Sequence, residues 1–265
     1  MVKMTGGQAL AKSLYREGVR VIFGLPGVQL YHMMDGLYDE PGIRFITVRH
    51  EQATAYMADG YARASGEVGT ALVVPGPGLL NASSAMSTAY SASSPVLMVS
   101  GQIERDEIGG DRGMLHEVND QLDSIGPVTK WAHRIMDPAE VPEAVHQAFH
   151  HLKNGRPRPV EIEIPPETLA QEADVELLEP ESPRRTGAKK EQIDAAAAAL
   201  ASASKPLSAP ATLPKPFPTT KPGKNSPRTR PSSPTATLAP SPPLAGTSAQ
   251  LICSTPGLTA IPKTA

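Results

Sequence analysis

The sequence predicts an α/β protein, a parallel sheet with helices on both faces, followed by a proline-rich tail. Three observations point there. Short apolar, β-branched runs alternate with segments of helical period, the pattern of a sheet whose strands are buried on both sides. Tight Gly/Pro turns such as Gly24-Leu25-Pro26-Gly27 and Gly76-Pro77-Gly78 stand between run and helix. Half of the 28 prolines in the 265-residue chain fall between Pro206 and Pro262, so the periodic part stops well before the chain does.

Thr5 followed by Gln8 is a capping-box pattern, and Leu10 and Leu14 share a face, which predicts a first helix over 5–17. Val19–Phe23 reads as a buried strand closed by the turn at 24–27, and Val28–Tyr38 as a second helix. The pattern repeats: strand Ile43–Val48, helix Glu51–Ala64, strand Thr70–Val74, helix Leu79–Ala92, strand Val96–Ser100. A polar connection from Gln102 to Val128 leads to a strand at Lys130–Ile135, with Trp131 packing on it and Lys130 at its exposed end. Asp137-Pro138-Ala139-Glu140 offers an N-cap, a proline at N1 and a glutamate at N3, predicting a helix over 138–152. Pro159–Pro165 alternates apolar and acidic residues, which predicts a strand near a sheet edge with one face in water.

Lys189–Ser204 is rich in helix formers and reads as the first helix of a further domain. After about Lys205 the only aromatic residue is Phe217. Such a stretch cannot offset backbone ordering at about 1–2 kcal/mol per residue, so the tail is expected to be disordered. The expected organisation is a folded domain at 1–180, a linker and lone helix at 181–205, and a low-complexity tail at 206–265.

Net charge is −2 and the pI about 6.4, which gives no electrostatic reason to expect nucleic acid or an anionic membrane as partner. The single cysteine, Cys253, excludes an internal disulfide and any multi-cysteine metal site, and no role is assigned to it. With no apolar leader and no run long enough to span a bilayer, a cytoplasmic protein is expected.

Open parallel sheets bind ligands beyond the carboxyl ends of their strands, which singles out the turns at 24–28, 49–51, 75–78 and 101–103. Glu51 follows a strand and opens a helix among Ala53, Ala55, Met57 and Ala58. Two readings stand side by side: a charge that stabilises a helix N-terminus, or a carboxyl dry enough to share a proton with a ring nitrogen. Gly76-Pro77-Gly78-Leu79-Leu80-Asn81 lacks the third glycine and the downstream acid of a dinucleotide fingerprint. His50-Glu51 and His116-Glu117 open like zinc-protease signatures, but the second histidine is Thr54 in one and Asp120 in the other. His146 and His150 share a helix face, either to grip a metal or simply as a solvated face.

Six motifs occur in order: Gly24-Leu25-Pro26-Gly27, Arg49-His50-Glu51, Ala58 to Arg63 (ADGYAR), Pro75 to Asn81 (PGPGLLN), Pro95 to Gln102 (PVLMVSGQ) and Gly155 to Pro165 (GRPRPVEIEIP). Together they resemble the N-terminal pyrimidine-binding domain of thiamine-diphosphate enzymes of the acetolactate synthase, pyruvate oxidase and benzoylformate decarboxylase group, over about residues 1–205. The resemblance implies that Glu51 hydrogen-bonds N1′ of the cofactor's aminopyrimidine and so assists proton removal from thiazolium C2, ahead of decarboxylation or carboligation of a 2-oxo acid. It implies that Gly24, Pro26 and Gly27 face the cofactor's reactive side, and that Gly76, Pro77, Gly78 and Asn81 lie beside the pyrimidine. Val28 and His116 fall on the substrate side. Acetolactate synthases carry Phe-Gln-Glu where this chain reads Leu115-His116-Glu117.

In that family the diphosphate is held through magnesium by a Gly-Asp-Gly motif in a C-terminal domain, and some members bind flavin (FAD) in a central domain. Neither is matched here, so the expectation is at most half of an active site, inactive or weakly binding by itself. A shift of reading frame near Leu207 or a natural tail both account for the change in composition. The resemblance further implies self-association. The competing expectations are a subunit completed by a separate diphosphate-domain chain, and a non-catalytic α/β binding module.

Overall fold

The computed structural model describes residues 1–182 and 187–204; the expected tail at 206–265, with Cys253, lies outside them. β1 (Val2–Thr5) runs into α1 (Gly6–Arg16), whose N-cap is the anticipated capping box: Gln8 N donates to Thr5 Oγ1 and Thr5 N to Gln8 Oε1, each at 3.2 Å. β2 (Val21–Gly24) follows, and the next helix opens as a 3₁₀ turn at Val28–Leu30 before becoming α2 (Tyr31–Tyr38). Then come β3 (Arg44–Thr47), α3 (Glu51–Ser65), β4 (Gly69–Val73), α4 (Pro77–Ala92) and β5 (Val96–Gly101). The polar connection holds a short α5 (Gln121–Ile125) ahead of β6 (Trp131–Arg134). A 3₁₀ turn at Pro138–Glu140, capped by Asp137 Oδ1 accepting from Ala139 N at 2.8 Å, precedes α6 (Val141–Lys153). β7 (Val160–Ile164), α7 (Pro166–Ala170) and β8 (Glu172–Val175) complete this body; α8 (Lys190–Ser202) is a helix with no buried residue.

The main sheet has the order β3-β2-β4-β5-β7-β6, and every neighbouring pair is parallel. On one face Leu10, Leu14, Leu30, Met33 and Phe149 from the α1, α2 and α6 side pack on Leu97, Val99 and Ile162. On the other, Ala55 and Ala58 of α3 and Ala82, Ala85, Met86 and Ala89 of α4 pack on Ala71, Val73 and Met98. Alanines allow close approach, and a Cβ on Gly69 would strike the Ala58 backbone. Each fully buried Leu, Met or Phe contributes about 1.5–3 kcal/mol, and on the alanine face that contribution comes mainly from Leu79, Met86 and Met98.

β1 and β8 pair antiparallel as a separate two-stranded ribbon, with Val2 opposite Val175. Neither strand was expected from the sequence. Each has four residues and carries charge, too little apolar alternation to signal a strand.

The position of β7 corrects the sequence expectation. It lies inside the sheet between β5 and β6, and all five of its residues are buried, including Glu161 and Glu163; β6 is the edge. Acidic alternation normally reads as a solvated face, but here both carboxyls meet polar partners under α5.

Candidate functional site

Because the sheet is parallel, the carboxyl ends of β2, β3, β4 and β5 share one rim. The strand order reverses between β2 and β4: the chain leaves β2 toward α2 on one face and β4 toward α4 on the other. Adjacent turns that diverge in this way open a crevice. Its walls meet closely. A Cβ on Gly27 would enter Val74 Cγ1, one on Gly78 would stand 2.6 Å from Val74 Cγ2, and one on Gly76 would enter the His116 carbonyl oxygen. Gly76, with φ 54° and ψ −111°, also adopts a backbone conformation reserved for glycine.

Glu51 is the first residue of α3, behind an N-cap His50 whose Nδ1 accepts from Gln52 N at 3.2 Å. Asn81, from the first turns of α4, donates through Nδ2 to Glu51 Oε2 at 3.0 Å. Glu51 Oε1 has no hydrogen-bond partner among the described residues. The carboxyl thus lies at the crevice beside Gly78, whose Cβ would stand 3.6 Å from Glu51 Cγ. Glu51 is half-buried, not dry, and Asn81 and Leu80 beside it are exposed. The dryness that the sequence reading asked for is not supplied by this body alone. Gly24 and Pro26 belong to the adjoining turn, and Val28 follows with 52% of its surface exposed.

Behind the Gly76 turn lies a buried polar network that the sequence reading missed. Gln121 Oε1 accepts from Gly76 N at 2.8 Å, while Gln121 Nε2 donates to Glu163 Oε2 at 2.7 Å and to Ser100 Oγ and Gly101 O at 3.0 Å. Ser100 Oγ donates to Glu161 Oε1 at 2.6 Å, and Gln102 and Arg134 donate to Glu163 Oε1. Of the two buried carboxyls, only Glu163 is bonded to the arginine. Burial, then repulsion from Glu163, pushes the Glu161 carboxyl well above the usual range, and its Oε2 is left unpartnered. No sequence signal marks this network, since its bonded partners are 20 to 61 residues apart.

The loop that covers the rim is organised by Glu117, which accepts from the backbone N–H groups of Gly113 at 2.6 Å and Met114 at 2.8 Å. Those bonds hold its carboxyl below the ordinary value, Met114 contributing most. His116 has φ 71°, and its Nδ1 lies 3.2 Å from Oε1 of the buried Gln29. Gln29 Nε2 donates to Leu115 O at 3.2 Å.

The other sequence candidates have structural partners. Thr54 donates to Glu51 O at 2.6 Å, and Asp120 caps α5 by accepting from Asp123 N at 3.1 Å. His146 and Lys153 share Glu17, and His150 pairs with Glu181, each at 3.0 Å, so the helix face is paired rather than merely solvated. Among the described residues no three His, Cys, Asp or Glu side chains converge as a metal site. Trp131 stacks between His133 and His151. Lys130 does more than mark a strand end: its ammonium donates to the carbonyls of His151, Asn154 and Arg156 around the end of α6. In the ADGYAR motif Asp59 pairs with Arg63 at 2.8 Å, a structural ion pair. No helix among the described residues is long and apolar enough to cross a membrane.

An open parallel sheet with glycine turns and a half-buried carboxylate at its switch point defines an α/β domain of the ligand-binding class. Residues 4–124 match the family model described as "Thiamine pyrophosphate enzyme, N-terminal TPP binding domain". A probable acetolactate synthase large subunit of Methanocaldococcus jannaschii is 41% identical over 176 residues, which cover 65% of this chain and 29% of the relative. A probable 2-ketoarginine decarboxylase of Pseudomonas aeruginosa is 38% identical over 206 residues, 77% of this chain and 37% of the relative. The acetolactate synthase isozyme 3 large subunit of Escherichia coli is 36% identical over 217 residues, 78% of this chain and 37% of the relative. Residues 4–124 thus carry the N-terminal TPP-binding domain found in acetolactate-synthase-like enzymes. The chain spans 29–37% of the length of these three relatives.

Proposed function

We propose that the crevice is the pyrimidine half of a thiamine-diphosphate site in an enzyme that decarboxylates or ligates 2-oxo acids, with Glu51 as its catalytic carboxyl. The observation that carries this reading is the Glu51 carboxyl itself: one oxygen is held by Asn81 and the other is free at the rim. A free carboxyl oxygen beside glycine turns suits a flat, nitrogen-bearing ring.

When bound, thiamine diphosphate would supply a nucleophilic carbon and an electron sink for chemistry on a 2-oxo acid. The chain's residues serve that chemistry in separate ways. Glu51 Oε1 holds or releases a proton at the ring nitrogen, and Asn81 fixes the orientation of the carboxyl. Gly24, Pro26 and Gly27 line the reactive side; Gly76, Pro77 and Gly78 line the pyrimidine. Val28 and His116 border the substrate.

The 265 residues contain no Gly-Asp-Gly segment. In this reading the diphosphate and magnesium are held by a polypeptide region outside these 265 residues, which also covers Glu51 and dries it. The isolated chain binds the cofactor weakly and does not turn over.

The test is a titration of the isotope-labelled full chain with thiamine diphosphate and magnesium, followed by amide resonances. Saturable shifts confined to Gly27, Glu51, Gly76, Gly78 and their neighbours are expected. Saturable shifts elsewhere, or none at millimolar cofactor, would remove the assignment.

A further inference from the structure

Gln29 is buried to 6% exposure at the carboxyl end of β5, its Cβ against Gly101, and its carboxamide is bound at both ends. The Leu115 carbonyl can only accept, so the amide nitrogen must face it, as the 3.2 Å bond shows. Flipping the amide would set two carbonyl oxygens against each other. The remaining amide oxygen therefore faces His116 Nδ1 at 3.2 Å, and it too can only accept. A neutral imidazole carries one proton, so that proton is on Nδ1. An unconstrained histidine in water favours the opposite tautomer.

We propose that Gln29 is a positioning residue that locks neutral His116 as the Nδ1–H tautomer, leaving Nε2 as the basic nitrogen on the substrate side of the crevice. Its place there rests on the thiamine-diphosphate reading above; the tautomer itself does not. The main chain reinforces the lock. His116 holds a left-handed φ of 71°, and its carbonyl oxygen fills the space a side chain at Gly76 would need. Ring and backbone are thus fixed from two sides, and Nε2 is left to accept a hydrogen bond or a proton without first changing tautomer.

The experiment is long-range ¹H–¹⁵N correlation of the ring nitrogens in the ¹⁵N-histidine-labelled full chain, at a pH where imidazole is neutral. His116 is identified by the signal lost in His116→Gln. The unaltered chain should show the Nδ1–H pattern. Gln29→Leu should return His116 toward the solution mixture. An Nε2–H pattern in the unaltered chain overturns the proposal even if Gln29→Leu does not fold, and so does an unchanged pattern in a folded Gln29→Leu. Adding thiamine diphosphate to the same sample separates the two readings. The Nδ1–H pattern without cofactor-induced shifts upholds the lock and removes the substrate-side role; shifts with the Nε2–H pattern do the reverse.

Discussion

Asn81 Nδ2 and Glu51 Oε2, 30 residues apart in the chain, meet at 3.0 Å across the mouth of the crevice, one from α4 and one from α3. The contact is exposed, so each member contributes little to stability, on the order of 1 kcal/mol or less. Glu51→Gln should leave the thermal midpoint almost unchanged and abolish the thiamine-diphosphate shifts at the Gly76–Gly78 amides. Asn81→Ala should weaken those shifts without removing them. A loss of stability comparable to a core truncation would mean that the pair holds the fold rather than a ligand.

Gly76→Ala is expected to be costly for two independent reasons. The backbone conformation alone costs about 1–3 kcal/mol for a residue with a side chain, and the added methyl must displace the His116 carbonyl. Gly66 serves as the control: its φ is 79°, but nothing lies within 4 Å of an added Cβ. Urea unfolding should therefore show Gly66→Ala losing about 1 kcal/mol and Gly76→Ala distinctly more, with the Leu115 and His116 amides moving only in the second.

Gln121→Met removes the carboxamide that joins Gly76 N, Glu163 Oε2 and Gly101 O. Each buried group left without a partner costs about 1–3 kcal/mol. Chemical denaturation should show a loss in that range or above, and hydrogen exchange at Gly76 should accelerate more than at Gly69.

Glu161→Gln tests the crowded carboxyl pair. Burial first, and Glu163 second, raise the Glu161 carboxyl in the folded state. The folded chain therefore holds a proton that the unfolded chain has released, and the stability this contributes is full below the ordinary value of 4.5 and fades as pH rises through the raised value. An amide cannot ionise. The variant should match the parent near pH 4 and exceed it increasingly toward pH 8, as read from urea midpoints.

Glu117 has the opposite sign. Backbone N–H bonds, that of Met114 foremost, lower its carboxyl. Its hold on the loop is present above the ordinary value of 4.5 and is lost as pH falls through the lowered one. Glu117→Gln should speed amide exchange at Gly113 and Met114 at neutral pH and leave the β5 amides unchanged.

The sheet was legible because its strands are buried on both faces and read as unbroken apolar runs, as in Val96–Val99. Glu51 stood out because it joins such a run to a helix. Glu161 and Glu163 misled for a physical reason: alternation tells which residues share a face, not whether that face meets water or a buried glutamine. Gln121 and Gln29 carried no signal at all, since their partners come from distant parts of the chain and a glutamine is unremarkable in any loop. The half-exposure of Glu51 was equally hidden, because what covers a rim is a property of the assembled surface.

The ribbon of β1 and β8 sets the start of the chain beside the segment that leaves the body, with Val2 against Val175. β1 and β8 close this body into a circuit, as a clasp closes a necklace. A peptide fused ahead of Met1 would emerge next to the path out of residue 175, so tags and tethers at the two sites would compete for the same corner. Joining those ends and reopening the circuit between 109 and 113, where turns are exposed and glycine-rich, offers a route to a permuted chain with the sheet order intact.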